Sequence, residues 1–229
     1  MKSRDHYNIL AELFRYPDDT YKQNVASCAK MLKGKYDEAY AEILPFAQYV
    51  EDKTMHEIEE AFGKTFHIQA ICFLDLGYVL FAEDYKRGEF LVKMKDEQRR
   101  ANNDCGIELA DNLPNVLTLL PLLKDEEFVE EFAARVMIPA LDKMLAEFDS
   151  ARMELKDKVR KKKQKVILME DMENKNIFQF AINSLALVVK KDFKNTHYND
   201  PVIVPTLGGN FLKSCTTSCA TTPEPVKTN

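Results

Sequence analysis

The chain has 229 residues, 45% hydrophobic and 30% charged, with a formal net charge of −5. That length suits one domain, or one domain with a tail, and is enough to bury a core. The acidic balance excludes a global field that would gather nucleic acid, while 7 glycines and no tryptophan, beside many Leu, Ala, Glu and Lys, favour helix over sheet.

The N-terminus, MKSRDHYNIL, has no apolar signal core. Tyr7, Leu10, Leu13 and Phe14 make a first helical stripe, stopped by Tyr16-Pro17-Asp18-Asp19. Asp19 or Thr20 can cap a second helix carrying Val25, Cys28, Met31 and Leu32. A third covers about Asp37 to Val50, and Pro45 inside it predicts a break or kink. Thr54-Met55-His56-Glu57 reads as a capping box opening a helix with Ile58, Ala61 and Phe62. Leu74, Tyr78, Phe81 and Tyr85 fall on a single helical face. Phe90, Leu91 and Met94 continue into a second limb, ended by Asn102-Asn103-Asp104-Cys105-Gly106. Asn112 can cap the next helix, with Pro114 tolerated in its first turn.

Asp125 to Phe148 reads as a long amphipathic helix bent near Pro139, followed by a polar helical stretch to about Lys165. Asn174 or Asn176 opens a final apolar helix with Ile177, Phe180, Ala181, Ser184, Leu187 and Val188. Beyond about Phe193, prolines, Gly208-Gly209 and many Thr and Ser replace the periodic pattern, as expected of a flexible tail. The expected architecture is all-α: a single helical-bundle domain over 1–192 with roughly eight to ten helices, and a flexible C-terminal tail over 193–229.

Patterns that carry chemistry are sparse. His6, His56, His67 and His197 are isolated, with no HExxH and no carboxylate-histidine pair. Cys28 and Cys72 sit in apolar company, while Cys215 and Cys219 form a lone C-x3-C in the tail; this is the usage of a reducing compartment, and no metal site is expected. GxSxG, GxxxxGK[ST] and GxGxxG are all absent. The expectation is a non-enzyme without cofactor, and no apolar run approaches the roughly 18 residues that would span a bilayer. Lys156 to Lys165 holds seven basic residues against one acidic. A binding face for nucleic acid or anionic membrane is the alternative function that this run raises; lacking interleaved aromatics, it reads first as a solvated helical face.

Two acidic corners remain. Glu83 and Asp84 lie where one helix turns into the next, and Glu108 and Asp111 precede another. Carboxylates at helix starts are stabilised by free amides and the helix dipole. Beside them stand Tyr78, Phe81, Tyr85, Leu113 and Leu117, and apolar residues rimmed by carboxylates suit a basic amphipathic segment.

The same residues carry a resemblance. Tyr7 through Tyr16-Pro17, then Phe62-Gly63-Lys64-Thr65-Phe66, then Glu83-Asp84-Tyr85-Lys86-Arg87-Gly88, and finally Glu108-Leu109-Ala110-Asp111-Asn112-Leu113-Pro114 follow in order. In sequence and spacing this resembles the NarJ-type (nitrate reductase delta-subunit) molybdoenzyme assembly chaperones of the TorD/DmsD group. Ala110 and Asn112 depart from the family pattern, which has proline and histidine there. The resemblance implies an all-helical, cytoplasmic protein without catalysis of its own, monomer or homodimer. It would bind the apo catalytic subunit of a molybdoenzyme through its N-terminal leader and keep it competent for cofactor insertion. The expected peptide-binding residues are Tyr78, Glu83, Asp84, Tyr85, Glu108, Asp111, Leu113 and Leu117.

Overall fold

The computed structural model describes residues 3–68, 70–149, 177–196 and 198. Among these the protein is all-helical, as expected. The elements are α1 (His6–Ala11) with a 3-10 turn (Glu12–Phe14), α2 (Tyr21–Leu32), α3 (Asp37–Asp52), α4 (Met55–Phe66), α5 (Leu76–Phe81), α6 (Tyr85–Ala101), α7 (Leu113–Leu119) and α8 (Glu126–Phe132). A π-helical turn (Ala133–Met137) leads from α8 into α9 (138–149), and α10 spans Ile177–Asp192.

Local chemistry sets most boundaries. Thr54 accepts the Glu57 amide while the Glu57 carboxylate takes the Thr54 amide at 2.9 Å, so the capping box forms. These hydrogen bonds and Lys53 hold the Glu57 carboxyl down at about 2. Asn102 closes α6 in the left-handed conformation that Asn adopts at low cost. Pro45 does not break α3, which runs through it to Asp52. Ala41 and Pro45 both face solvent, where water can take the carbonyl that proline leaves unpaired. Ahead of Pro139 the disruption takes the form of the π turn, with the Ile138 amide reaching back to the Ala133 carbonyl.

The core forms around α10 and α3, which pack along each other. Their small residues approach closely: the buried Ser184 hydroxyl donates to the Ala39 carbonyl at 2.8 Å. α4 joins through an aromatic cluster in which Phe62 and Phe66 meet Phe178 edge-on, 5.5 and 5.0 Å between centroids. Such pairs contribute roughly 0.5–1.5 kcal/mol each beyond area burial. α1 packs on α7 and is tied to the end of α10, where Asp192 accepts from His6 at 2.8 Å, Tyr36 at 2.7 Å and Tyr7 at 3.1 Å.

Two expectations need correction. Leu74, Tyr78, Phe81 and Tyr85 do not share one helical face, because the backbone turns sharply at Ala82 between α5 and α6. The expected boundary at 192 also falls too early. Phe193 and Thr196 are buried, and the Tyr198 hydroxyl donates to Glu127 at 3.1 Å. The chain divides instead into units 1–199 and 200–229. The basic run 156–165, Cys215, Cys219 and most of the expected flexible tail lie outside the described residues. Among the described residues no helix is long and apolar enough to cross a membrane. Cys28 and Cys72 are buried as expected, and burial pushes the Cys28 thiol up to about 12.

Candidate functional site: the α5–α6 corner and the 105–112 loop

The short helix α5 is started by a residue far away in sequence. Its own N-cap, Asp75, makes no side-chain capping bond. Asp111 supplies one instead: its Oδ2 accepts the Gly77 amide at 2.9 Å, and its carbonyl accepts the Leu76 amide at 3.0 Å. The Leu113 amide donates to the Leu74 carbonyl at 2.9 Å, completing an isolated antiparallel bridge between Asp75 and Asn112. Asp75 is then free to accept from Asn112 Nδ2 at 3.1 Å and to face Arg87 Nη2 at 3.8 Å. The Arg87 guanidinium lies 5.0 Å from the centre of the Tyr78 ring, which also packs on Phe73 at 4.3 Å.

Gly77 makes this junction possible. A Cβ there would stand 2.7 Å from Asp111 Oδ2 and 2.9 Å from Phe90 Cδ1. Only a residue without a side chain lets the carboxylate come this close to the helix. Burial is the main influence on Asp111, raising its carboxyl; the Gly77 amide and the Arg87 charge oppose that, while the Asp75 charge adds to it. Its Oδ1 is buried without a hydrogen-bond partner.

At the other end of α5, Ala82 has φ 51° and ψ −127°, and the Asp84 amide donates to the Phe81 carbonyl at 3.1 Å. This is the geometry of a type II′ turn with alanine where glycine is favoured. Lys143 donates to the Leu80 carbonyl at 2.9 Å. Asp84 caps α6 by accepting the Lys86 amide at 2.9 Å.

A buried amide network shapes the loop before α7. Gln98 donates to the carbonyls of Ala110 at 2.8 Å and Asn115 at 3.1 Å. Asn103 donates to Gln98 Oε1 at 2.7 Å, and Asn115 donates to the carbonyls of Leu109 at 2.9 Å and Cys105 at 3.2 Å. The loop tip is thereby presented to solvent, with Ile107 100% exposed and Glu108 beside it.

The eight expected residues therefore divide. Glu83, Asp84, Tyr85 and Glu108 are exposed, Tyr85 at 76%, and Tyr78 is half-buried. Leu113 and Leu117, expected as groove contacts, are each 0% exposed; α7 turns that face into the core. Asp111, expected as an exposed carboxylate, is 1% exposed and serves as the internal cap of α5. Asp75, Gly77 and Arg87 were not among the expected residues. Of these only Gly77 carries a signal, as a glycine inside a helical pattern that marks close approach. Among the described residues no group of three or more His, Cys, Asp or Glu is placed to hold a metal ion.

No protein-family model, curated protein or solved structure matches this chain.

Proposed function

We propose that the protein is a cytoplasmic, system-specific chaperone for a molybdoenzyme of the nitrate-reductase type. In this reading it holds the apo catalytic subunit by its N-terminal leader and keeps it competent for insertion of the client's molybdenum cofactor. The reading starts from the sequence resemblance carried by Tyr16-Pro17, Glu83 to Gly88 and Glu108 to Pro114.

The observation that supports it best is the pairing of exposed carboxylates with exposed apolar side chains: Glu83 and Asp84 beside Tyr85, and Glu108 beside Ile107. Exposed large apolar residues next to acids suit a basic, partly apolar segment better than they suit solvent. Of the expected contacts, the reading retains Tyr78, Glu83, Asp84, Tyr85 and Glu108, and Ile107 joins them. Asp111, Leu113 and Leu117 act by building the surface from beneath.

Calorimetric titration with the leader peptide of a nitrate-reductase-type catalytic subunit from the same genome tests the proposal. Saturable binding that weakens as salt is raised is the expected result, because exposed ion pairs are screened. Absence of binding at low salt to the folded, full-length protein would overturn it.

A further inference from the structure

The loop between α4 and α5 stands out from the rest of the chain in composition. From His67 to Leu74 it reads HIQAICFL, with no Asp, Glu, Lys or Arg in a protein that is 30% charged. Backbone bonds pin it to the end of α4. The Ile68 amide donates to the Gly63 carbonyl at 2.8 Å, and the Ile71 and Cys72 amides share the Thr65 carbonyl at 2.9 and 3.3 Å. Cys72 and Leu74 are buried, while Ile68 is 73% and Phe73 37% exposed. Phe73 packs on Tyr78, 4.3 Å between ring centroids, which joins the loop to the α5–α6 corner. At the other end the His67 ring lies within 10° of parallel to Tyr16, centroids 6.4 Å apart. Tyr16 meets Phe62 edge-on at 5.6 Å and is still 56% exposed. Tyr16-Pro17 and the Phe62 to Phe66 element, far apart in sequence, thus come together beside this loop. A single exposed apolar residue is ordinary. Several held in place on an uncharged surface, aromatic rings among them, have the composition of an interface core.

We propose that the 67–74 loop, with Tyr16, is the apolar half of the client-binding surface, and that its occupant is an uncharged apolar stretch of the client segment, adjoining the basic residues held at the acidic corner. The inference rests on the chaperone reading and adds a second kind of contact to it. Continuity and charge identify the occupant. Tyr78, retained as a client contact, is in ring contact with Phe73, so a segment seated at the corner meets the loop next. A charged residue laid on the loop would give up its water and find no ionic partner among residues 67–74. Aliphatic or aromatic residues carry no such cost, and they remove Ile68, Phe73 and Tyr16 from water. The two halves then differ in their physics. Attraction at the exposed acids is screened by salt, whereas apolar burial at the loop is not screened and carries a negative heat-capacity change.

Calorimetry at two salt concentrations and two temperatures separates the halves. The Ile68→Ser/Tyr16→Ser variant is expected to bind the leader peptide at least about tenfold more weakly than wild type. It should keep the wild-type salt dependence and show a smaller heat-capacity change. Ile68→Ser alone, at a position 73% exposed, gives a loss of about threefold or more if the double variant does not fold. A leader peptide with every Arg and Lys replaced by Gln should still bind wild type, without salt dependence, and lose that binding in the variant. Unchanged leader affinity in the folded variants overturns the apolar half and leaves the chaperone reading standing. So does a loss of affinity that takes the salt dependence with it. If the Gln-substituted peptide binds through Ile68 while leader binding is insensitive to salt, the apolar half stands and the carboxylate contacts fail. If neither peptide binds wild type, both fall. Dimerisation of the empty protein in sedimentation, abolished by Ile68→Ser and not reversed by leader peptide, would assign the loop to a second copy and also overturn the proposal.

Discussion

Asp111 Oδ2 accepts the backbone amide of Gly77 at 2.9 Å, across 34 residues of chain. This bond makes the 105–112 loop and the α5–α6 corner parts of one construction. A carboxylate that could have capped its own helix, α7, caps α5 instead. Asn112, the α7 N-cap, makes no capping bond with its side chain and spends it on Asp75.

Gly77→Ala tests that relationship. Alanine is the better helix former by about 1 kcal/mol, so propensity alone predicts a gain. A Cβ 2.7 Å from Asp111 Oδ2 and 2.9 Å from Phe90 Cδ1 forces both to move, and overpacking of this kind costs roughly 1–3 kcal/mol. Net destabilisation is expected, read from the urea midpoint. A variant as stable as wild type would show that Asp111 and α5 are not held together as described.

Ala82→Gly should act in the opposite direction. Alanine at φ 51° and ψ −127° occupies a conformation that costs about 1–3 kcal/mol for a residue with a Cβ. Glycine removes that strain but loses roughly 0.4–1 kcal/mol through the greater freedom of the unfolded chain. A gain of about 1 kcal/mol is expected in equilibrium unfolding. A loss would mean that the Ala82 methyl contributes packing that outweighs the strain.

How far the sequence discloses this corner depends on the kind of signal. Thr54 and Glu57, Asn102 and Pro114 each act within a few residues of themselves, so the boundaries they set can be read directly. Leu113 and Leu117 stand four apart on one face, but spacing does not tell whether that face meets a partner or the core. Asp111 reads as a local cap because nothing in its neighbourhood points to Gly77. The turn at Ala82 gives no warning, since alanine carries none of glycine's preference for positive φ. An apparent stripe from Leu74 to Tyr85 is therefore cut in two, and Tyr85 moves to the surface.

Acid should weaken the joint between α1 and α10. Burial alone would raise the Asp192 carboxyl, but hydrogen bonds from His6, Tyr36 and Tyr7 and the His6 charge outweigh it and hold the carboxyl below its ordinary value. Such a group binds its proton less readily in the folded state. Its contribution is complete above the unfolded carboxyl value of about 4 and is lost as pH falls through the lower folded value. Asp192→Asn should be less stable than wild type by roughly 1–3 kcal/mol near neutrality, with the two converging below about pH 4. Urea titrations at a series of pH values read this, and a gap that stays constant into acid would contradict it.

In the proposed function, exposed carboxylates at the α5–α6 corner and the 105–112 loop hold a basic client segment. Calorimetry with the leader peptide, comparing wild type with the triple variant Glu83→Gln/Asp84→Asn/Glu108→Gln, addresses it most directly. Asparagine still caps α6, and the Asp111 cap is untouched, so the fold is kept while three surface charges are removed. The triple variant is expected to bind at least tenfold more weakly, with most of the salt dependence gone. Unchanged affinity in the folded triple variant would contradict it.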